Sequence, residues 1–277
     1  MILHRPGPPL DMVVEYFWWQ RRARPTDHRE HNLPTGKVQL IIALHDAEFR
    51  WSAGRTLEEV RWTRGIVHGP QSAYYLTGPK PQGATVGVCF RTGAGSAALG
   101  LPLGQLTDLH VTLEELWGVR GCLLHERLAA TTTPESAFAV LEAELAIRLR
   151  IPLLIHPAVA HALSRWAPDI PDITSVAAIQ RETGYSAKHF IAQFRRAIGL
   201  TPKQYLRTRR FGIVARRLAA DPARGTLAEL AQAAGYADQA HMTRDFRALA
   251  GISPTAYRPA ATTSAFHHVV DDAALLR

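Results

Sequence analysis

The chain has 277 residues, 47% of them hydrophobic, a formal net charge of +8 and only two cysteines. That length exceeds one small domain and suits two, each able to bury its own core. Cys89 and Cys122 exclude a disulfide framework, no apolar run nears the roughly 20 residues of a membrane span, and Met1 to Leu10 lacks a signal-peptide core, so a cytoplasmic protein with no membrane partner is expected. The charge is unevenly placed. Residues 1–150 carry 16 Lys+Arg against 15 Asp+Glu, whereas residues 151–277 carry 16 against 9, so the C-terminal half is the one expected to attract a polyanion.

In chain order, residues 33–92 show short β-type runs, which predict a small sheet or barrel: Lys37–Leu44, Ala47–Trp51, Arg64–His68, Ala73–Thr77 and Thr85–Phe90. Gly69-Pro70 and Gly78-Pro79 are among the turn signals between them. The period then changes. Thr112–Ala129 places Leu113, Leu116, Trp117, Leu123, Leu124 and Leu128 on one helical face behind a Thr112/Glu115 capping box. A second helix runs from Pro134 to about Arg150. The pattern leaves open whether this pair packs on the sheet or on another subunit. Pro152 and Pro157 mark the boundary to an all-helical region, with helices expected at about 157–166, 174–183, 186–198, 202–220, 226–234, 238–250 and 254–258. An Ala/Thr-rich tail, 261–277, is expected to be flexible.

The helical region says one thing twice. His189, Phe194-Arg195, Gly199-Leu200-Thr201-Pro202 and Tyr205 return at a constant offset of 52 as His241, Phe246-Arg247, Gly251-Ile252-Ser253-Pro254 and Tyr257. Each unit has a short helix, a turn on glycine (Gly184, Gly235), a polar cap (Ser186, Asp238) and a second helix, the layout of a helix-turn-helix. At 100° per residue the first recognition helix turns Phe190, Phe194, Ala197 and Ile198 inward, leaving Lys188, Ile191, Ala192, Arg195 and Arg196 outward or on the flanks. The second turns Met242, Phe246 and Leu249 inward, leaving Gln239, Ala240, Thr243, Arg244 and Arg247 outward. Those ten outward residues are the expected DNA-binding set. Arg244 is the best-placed base reader, Arg195 and Arg247 suit phosphate, and Ile191, Ala192 and the Thr243 methyl suit a thymine methyl.

Between the units, residues 202–220 carry Arg207, Arg209, Arg210, Arg216 and Arg217. A helix of that length, near 27 Å at about 1.5 Å per residue, suits two readers placed about one DNA turn apart. Taken singly, an outward arginine is more often a solvated surface residue, and His189 and His241 suggest packing or capping over catalysis. The repeat, the caps and the basic excess together point to double-stranded DNA.

These residues resemble the DNA-binding domain of the AraC/XylS family of transcription regulators. The second unit carries the signature closely, in Leu227, Leu230-Ala231, Ala234-Gly235-Tyr236, Asp238-Gln239, Phe246-Arg247, Gly251-Ile252-Ser253-Pro254 and Tyr257-Arg258. The first is looser: Val176-Ala177 and Gly184-Tyr185-Ser186 fit, but Lys188, Ile191 and Ala192 stand where many relatives place larger polar readers. His68-Gly69-Pro70, Phe90-Arg91-Thr92-Gly93 and Leu101-Pro102-Leu103 resemble the sensor domains of the family more weakly. The resemblance implies an α+β protein: a β-rich, degenerate cupin-like sensor and dimerisation domain over 1–150, its helical part about 107–150, then an all-α DNA-binding domain over 151–260. The two helix-turn-helix motifs fall at about 174–198 and 226–250.

It also implies a bacterial regulator that binds a promoter or operator, senses a small-molecule effector, recruits or excludes RNA polymerase and can form a homodimer. No enzyme activity, cofactor or metal is expected. Two alternatives stand beside it. One is a cupin-like metal enzyme fused to a DNA-binding domain, disfavoured because there is no His-x-His and His28, His31, His45, His68 and His110 are scattered. The other is a non-specific architectural DNA-binding protein, which would bind random DNA nearly as well as any site.

Overall fold

The computed structural model describes residues 1–44, 48–53, 60–149, 155–167, 174–221, 225–257, 259–261 and 264–270. His45, Ala47, Arg150, Pro152, Arg258 and the tail from Asp271 lie outside the described residues. The strands are β1 (Ile2–His4), β2 (Val14–Arg22), β3 (Arg29–Asn32), β4 (Gln39–Ala43), β5 (Phe49–Ala53), β6 (Val60–Trp62), β7 (Gly65–His68), β8 (Tyr75–Thr77), β9 (Gly83–Phe90) and β10 (His110–Thr112). Helices follow: α1 (Ser96–Leu99), α2 (Leu113–Trp117), α3 (Val119–Ala129), α4 (Pro134–Arg148), α5 (Pro157–Arg165), α6 (Val176–Thr183), α7 (Ala187–Ile198), α8 (Pro202–Ala220), α9 (Leu227–Ala233) and α10 (Gln239–Ala250). Two further strands close the described chain, β11 (Pro259–Ala261) and β12 (Ser264–Val270).

All strand pairs are antiparallel, in two six-stranded sheets ordered β1-β2-β9-β4-β7-β10 and β11-β12-β3-β8-β5-β6. The apolar core of the N-terminal domain lies between the first sheet and the helix pair. Phe17, Leu40, Ile42, Val67, Val86 and Val88 share one buried cluster with Leu124 and Leu128 of α3 and Phe138, Leu141 and Leu145 of α4. This decides the question that periodicity left open, since within the chain the pair covers the sheet. The opposite face of that sheet looks toward the second one and carries His68 and His110 among its side chains. His110 lies 3.9 Å by ring centroid from Trp51 and 4.5 Å from Tyr75, and His68 stacks on Tyr75 at 5.2 Å.

Several elements differ from the sequence expectation. β1, β2 and β3 precede the first expected strand: the adjacent aromatics of Tyr16-Phe17-Trp18-Trp19 hide the alternation of β2. The helix expected over 112–129 is broken at Gly118 (φ +58, ψ −140), which ends α2 and starts α3 in a new direction. Residues 254–258 form no helix in their described part. The largest departure is the tail: Ser264–Val270 is a strand where a flexible segment was expected, paired with β3 through His267↔Asn32, His268↔His31, Val269↔Glu30 and Val270↔Arg29. Ser264–Val270 therefore returns to complete a sheet of the N-terminal domain, where His268 is buried. His267 Nδ1 lies 3.1 Å from Glu30 Oε2, and the Lys80 ammonium pairs with the same buried carboxylate. Burial raises the Glu30 pKa, but the His267 hydrogen bond and the Lys80 charge outweigh it and hold the group at about 2.

Candidate nucleic-acid interface

Each recognition helix is started by a side-chain cap and oriented by an aromatic core. Ser186 Oγ accepts from the His189 amide at 3.3 Å, and Asp238 Oδ1 accepts from the His241 amide at 2.6 Å. The recurring histidines thus stand at the capped third position of each helix, their rings against Tyr185 (5.0 Å) and Tyr236 (5.2 Å). In the first unit Phe190, Phe194 and Ile198 are buried with Val159, Trp166, Ile179 and Leu206. In the second, Met242, Phe246 and Leu249 are buried with Phe211, Val214, Leu230 and Tyr236.

Burying those faces turns the opposite ones to solvent. Lys188, Ile191, Ala192, Arg195 and Arg196 on α7 are exposed, as are Gln239, Ala240, Arg244 and Arg247 on α10, while Thr243 is half-buried. Ile191 is 41% exposed, an aliphatic side chain in water on the outward face of the first unit. Neither Arg244 nor Arg247 appears in an ion pair within the chain among the described residues, so both guanidinium groups are free for an anionic partner.

The arginines of α8 have other work. Arg207 Nε lies 2.9 Å from Asp245 Oδ1 of α10, and Arg209 Nη2 donates to the Ala167 carbonyl at 2.7 Å. Arg210 sits 6.0 Å over the Tyr236 ring and Arg216 5.9 Å over Phe266 of β12. Four of the five arginines in the linking helix therefore hold the domain together, whereas Arg217, like Lys203 of the same helix, is exposed and makes no such contact among the described residues. Charge counting along the sequence could not separate these internal cations from the reading ones, because their partners are distant in the chain. Among the described residues, no group of three or more His, Cys, Asp or Glu side chains is arranged to hold a metal ion. Nor is any helix there long and apolar enough to cross a membrane.

Residues 179–260 match the family described as a helix-turn-helix domain, spanning all of α7 through α10. The chain carries an AraC-type helix-turn-helix domain. This AraC-type domain is a DNA-binding module of transcription regulators. Residues 3–112, the strand-rich part ahead of the helix pair, match a domain family of unknown function. Among curated proteins none matches the chain. Of solved structures, the apo K231A variant of ToxT from Vibrio cholerae is 10% identical over 86% of this chain and 95% of its own, with a TM-score of 0.46. ToxT of the same species bound to an unsaturated fatty acid is 10% identical over 87% and 92%, with a TM-score of 0.40. The DNA-binding domain of AdpA in complex with a target DNA is 26% identical over 36% of this chain and 87% of its own, with a TM-score of 0.32.

Proposed function

We propose that this protein is a sequence-specific transcription regulator whose two recognition helices, α7 and α10, enter successive major grooves of an operator. The observation that carries this reading is the pair of capped helices, each burying its aromatic face while a basic or small-residue face stays exposed. In it, Lys188, Ile191, Ala192, Arg195 and Arg196 make the first set of contacts, and Gln239, Ala240, Thr243, Arg244 and Arg247 the second. The second set supplies most of the base readout, because Gln239, Thr243 and Arg244 present hydrogen-bonding groups where the first helix offers Ala187, Ile191 and Ala192.

Control by a small polar effector in the N-terminal domain belongs to the same reading. It is supported by the cluster of Trp51, His68, Tyr75 and His110 between the sheets, whose imidazoles and phenol set it apart from the wholly apolar core on the other side of the first sheet. A homodimer through the outer faces of α3 and α4, where Val119, Leu123 and Ile147 are exposed, and contact with RNA polymerase complete the proposal.

Selection of bound oligonucleotides from a random pool by the full chain tests it. A defined motif is expected, with a specificity ratio of about 10³ or more at physiological salt. Arg244→Ala should then cost about 1–3 kcal/mol and relax preference at one position. Binding of random DNA as tight as of any selected sequence would leave the architectural reading instead.

A further inference from the structure

The two recognition helices end alike, and one connection of the N-terminal domain touches both ends. α7 stops at Gly199 (φ +86) and α10 at Gly251 (φ +74), equivalent positions of the repeat. A Cβ at Gly199 would lie 2.5 Å from Pro70 Cγ and 3.0 Å from the Leu103 carbonyl oxygen, and one at Gly251 would lie 2.5 Å from Tyr74 Cζ. Glycine thus meets two demands at each position, a left-handed backbone and room for a neighbour from the other domain. Gly184, with φ +72 in the turn of the first unit, has open space where its Cβ would stand. Pro70 and Tyr74 belong to the single connection between β7 and β8.

Hydrogen bonds accompany both contacts. The Thr107 hydroxyl donates to the Gly199 carbonyl, and His31 Nδ1–H donates to the Ala250 carbonyl at 2.8 Å, taking up acceptors that a helix end leaves free. The outward residues of both helices remain exposed with these contacts in place, although Gly104 packs beside the backbone and stem of Arg195. The N-terminal domain therefore holds the readers without covering them.

What that hold constrains follows from the cores. The buried clusters of the two units share no residue and are joined through α8. Two bodies on one rod keep their separation but retain freedom to rock on it. A second bridge between them closes a ring and removes that freedom. Resting on the regulator reading above, we propose that Pro70 and Tyr74 are positioning residues for DNA recognition: the β7–β8 connection ties the recognition helices together by their terminal glycines and sets the spacing and phase at which they meet the duplex.

The experiment takes the sequence selected by the wild-type full chain and inserts one or two base pairs between its two contacted halves. Each inserted pair shifts the second half by about 3.4 Å along the helix. The wild type is expected to lose about tenfold or more per inserted pair, and Tyr74→Ala less than about threefold, with the uninserted site bound by both. Tyr74→Phe, which keeps the ring against Gly251, should restore the steep profile. Gly184→Ala, with similar backbone strain and no neighbour, should keep it at whatever affinity remains. Gly251→Ala should flatten the profile, and its added folding defect should shrink when combined with Tyr74→Ala. Selective binding with identical spacing profiles for wild type and Tyr74→Ala overturns this proposal and leaves the regulator reading intact. Absence of any sequence selection by the wild type overturns the regulator reading itself.

Discussion

The two helix-turn-helix units are equal in layout and unequal in independence. The first draws its buried cluster from α5, α6, α7 and the start of α8 alone, Trp166 fully buried among them, and meets the N-terminal domain at its edge, where Gly93 packs close to Ile198 and Leu163. The second shares its core with other parts of the chain: Leu33 beside β3 is a buried member, and Tyr74 and Phe266 pack against it. Yet the second unit is the one whose sequence matches the AraC-type signature closely and whose exposed face holds Arg244. Closeness to the signature and self-sufficiency of the core are thus separate properties, and here they reside in different halves of the repeat.

The largest effect that distinguishes the halves should come from the equivalent core residues Phe194 and Phe246, both essentially buried. Replacing either by alanine should cost about 3–5 kcal/mol. Hydrogen exchange is expected to rise only within α5–α7 for Phe194→Ala, but to spread from α10 into β3 and β12 for Phe246→Ala. Confinement of the second response to α9 and α10 would make the units equally independent.

Acid should separate them as well. His31, which anchors the second unit through Ala250, has its pKa pulled down to about 4, chiefly by burial and against the opposing effect of that hydrogen bond. Tyr74 stacks on its ring at 4.4 Å and His268 faces it at 5.9 Å. Undocked, the imidazole would titrate near its ordinary 6.5 and bind a proton more readily than in the folded state. The docking contribution is therefore complete above about pH 6.5 and is lost as pH falls from there toward 4. The anchor of the first unit, the Thr107 hydroxyl, does not titrate in that range. Exchange measured across pH 4–7 should show the end of α10 loosening before the end of α7, and His31→Gln should flatten that difference.

Smaller changes should come from the caps. Ser186→Ala and Asp238→Ala should each cost about 0.5–2 kcal/mol, read from urea unfolding. Arg207 is partly exposed, so losing its pair with Asp245 through Arg207→Ala should cost less than about 1 kcal/mol. Its salt slope of DNA binding should match the wild type, whereas Arg247→Ala should reduce the slope; equal slopes for both variants would merge the internal and the reading arginines.

Much of the layout of the two helical units was legible from local pattern. The inward positions Phe190, Phe194, Met242 and Phe246 followed from helical spacing, and the caps from Ser186 and Asp238, because those interactions join residues a few positions apart. The arginines of α8 were not legible in the same way: Arg207 meets Asp245 and Arg216 meets Phe266, partners that no helical period indicates.

By itself the sequence determined the duplicated helical unit, the faces each helix buries and the basic excess beside them, since a helix closes its hydrogen bonds internally and its pattern is written within a few turns. Only the tertiary structure decided that the tail becomes β12, that His267 reaches Glu30 across 237 positions, and that Pro70 and Tyr74 meet the ends of two helices. A strand has no hydrogen bonds of its own to close, so whether such a segment orders depends on a partner that local sequence does not name.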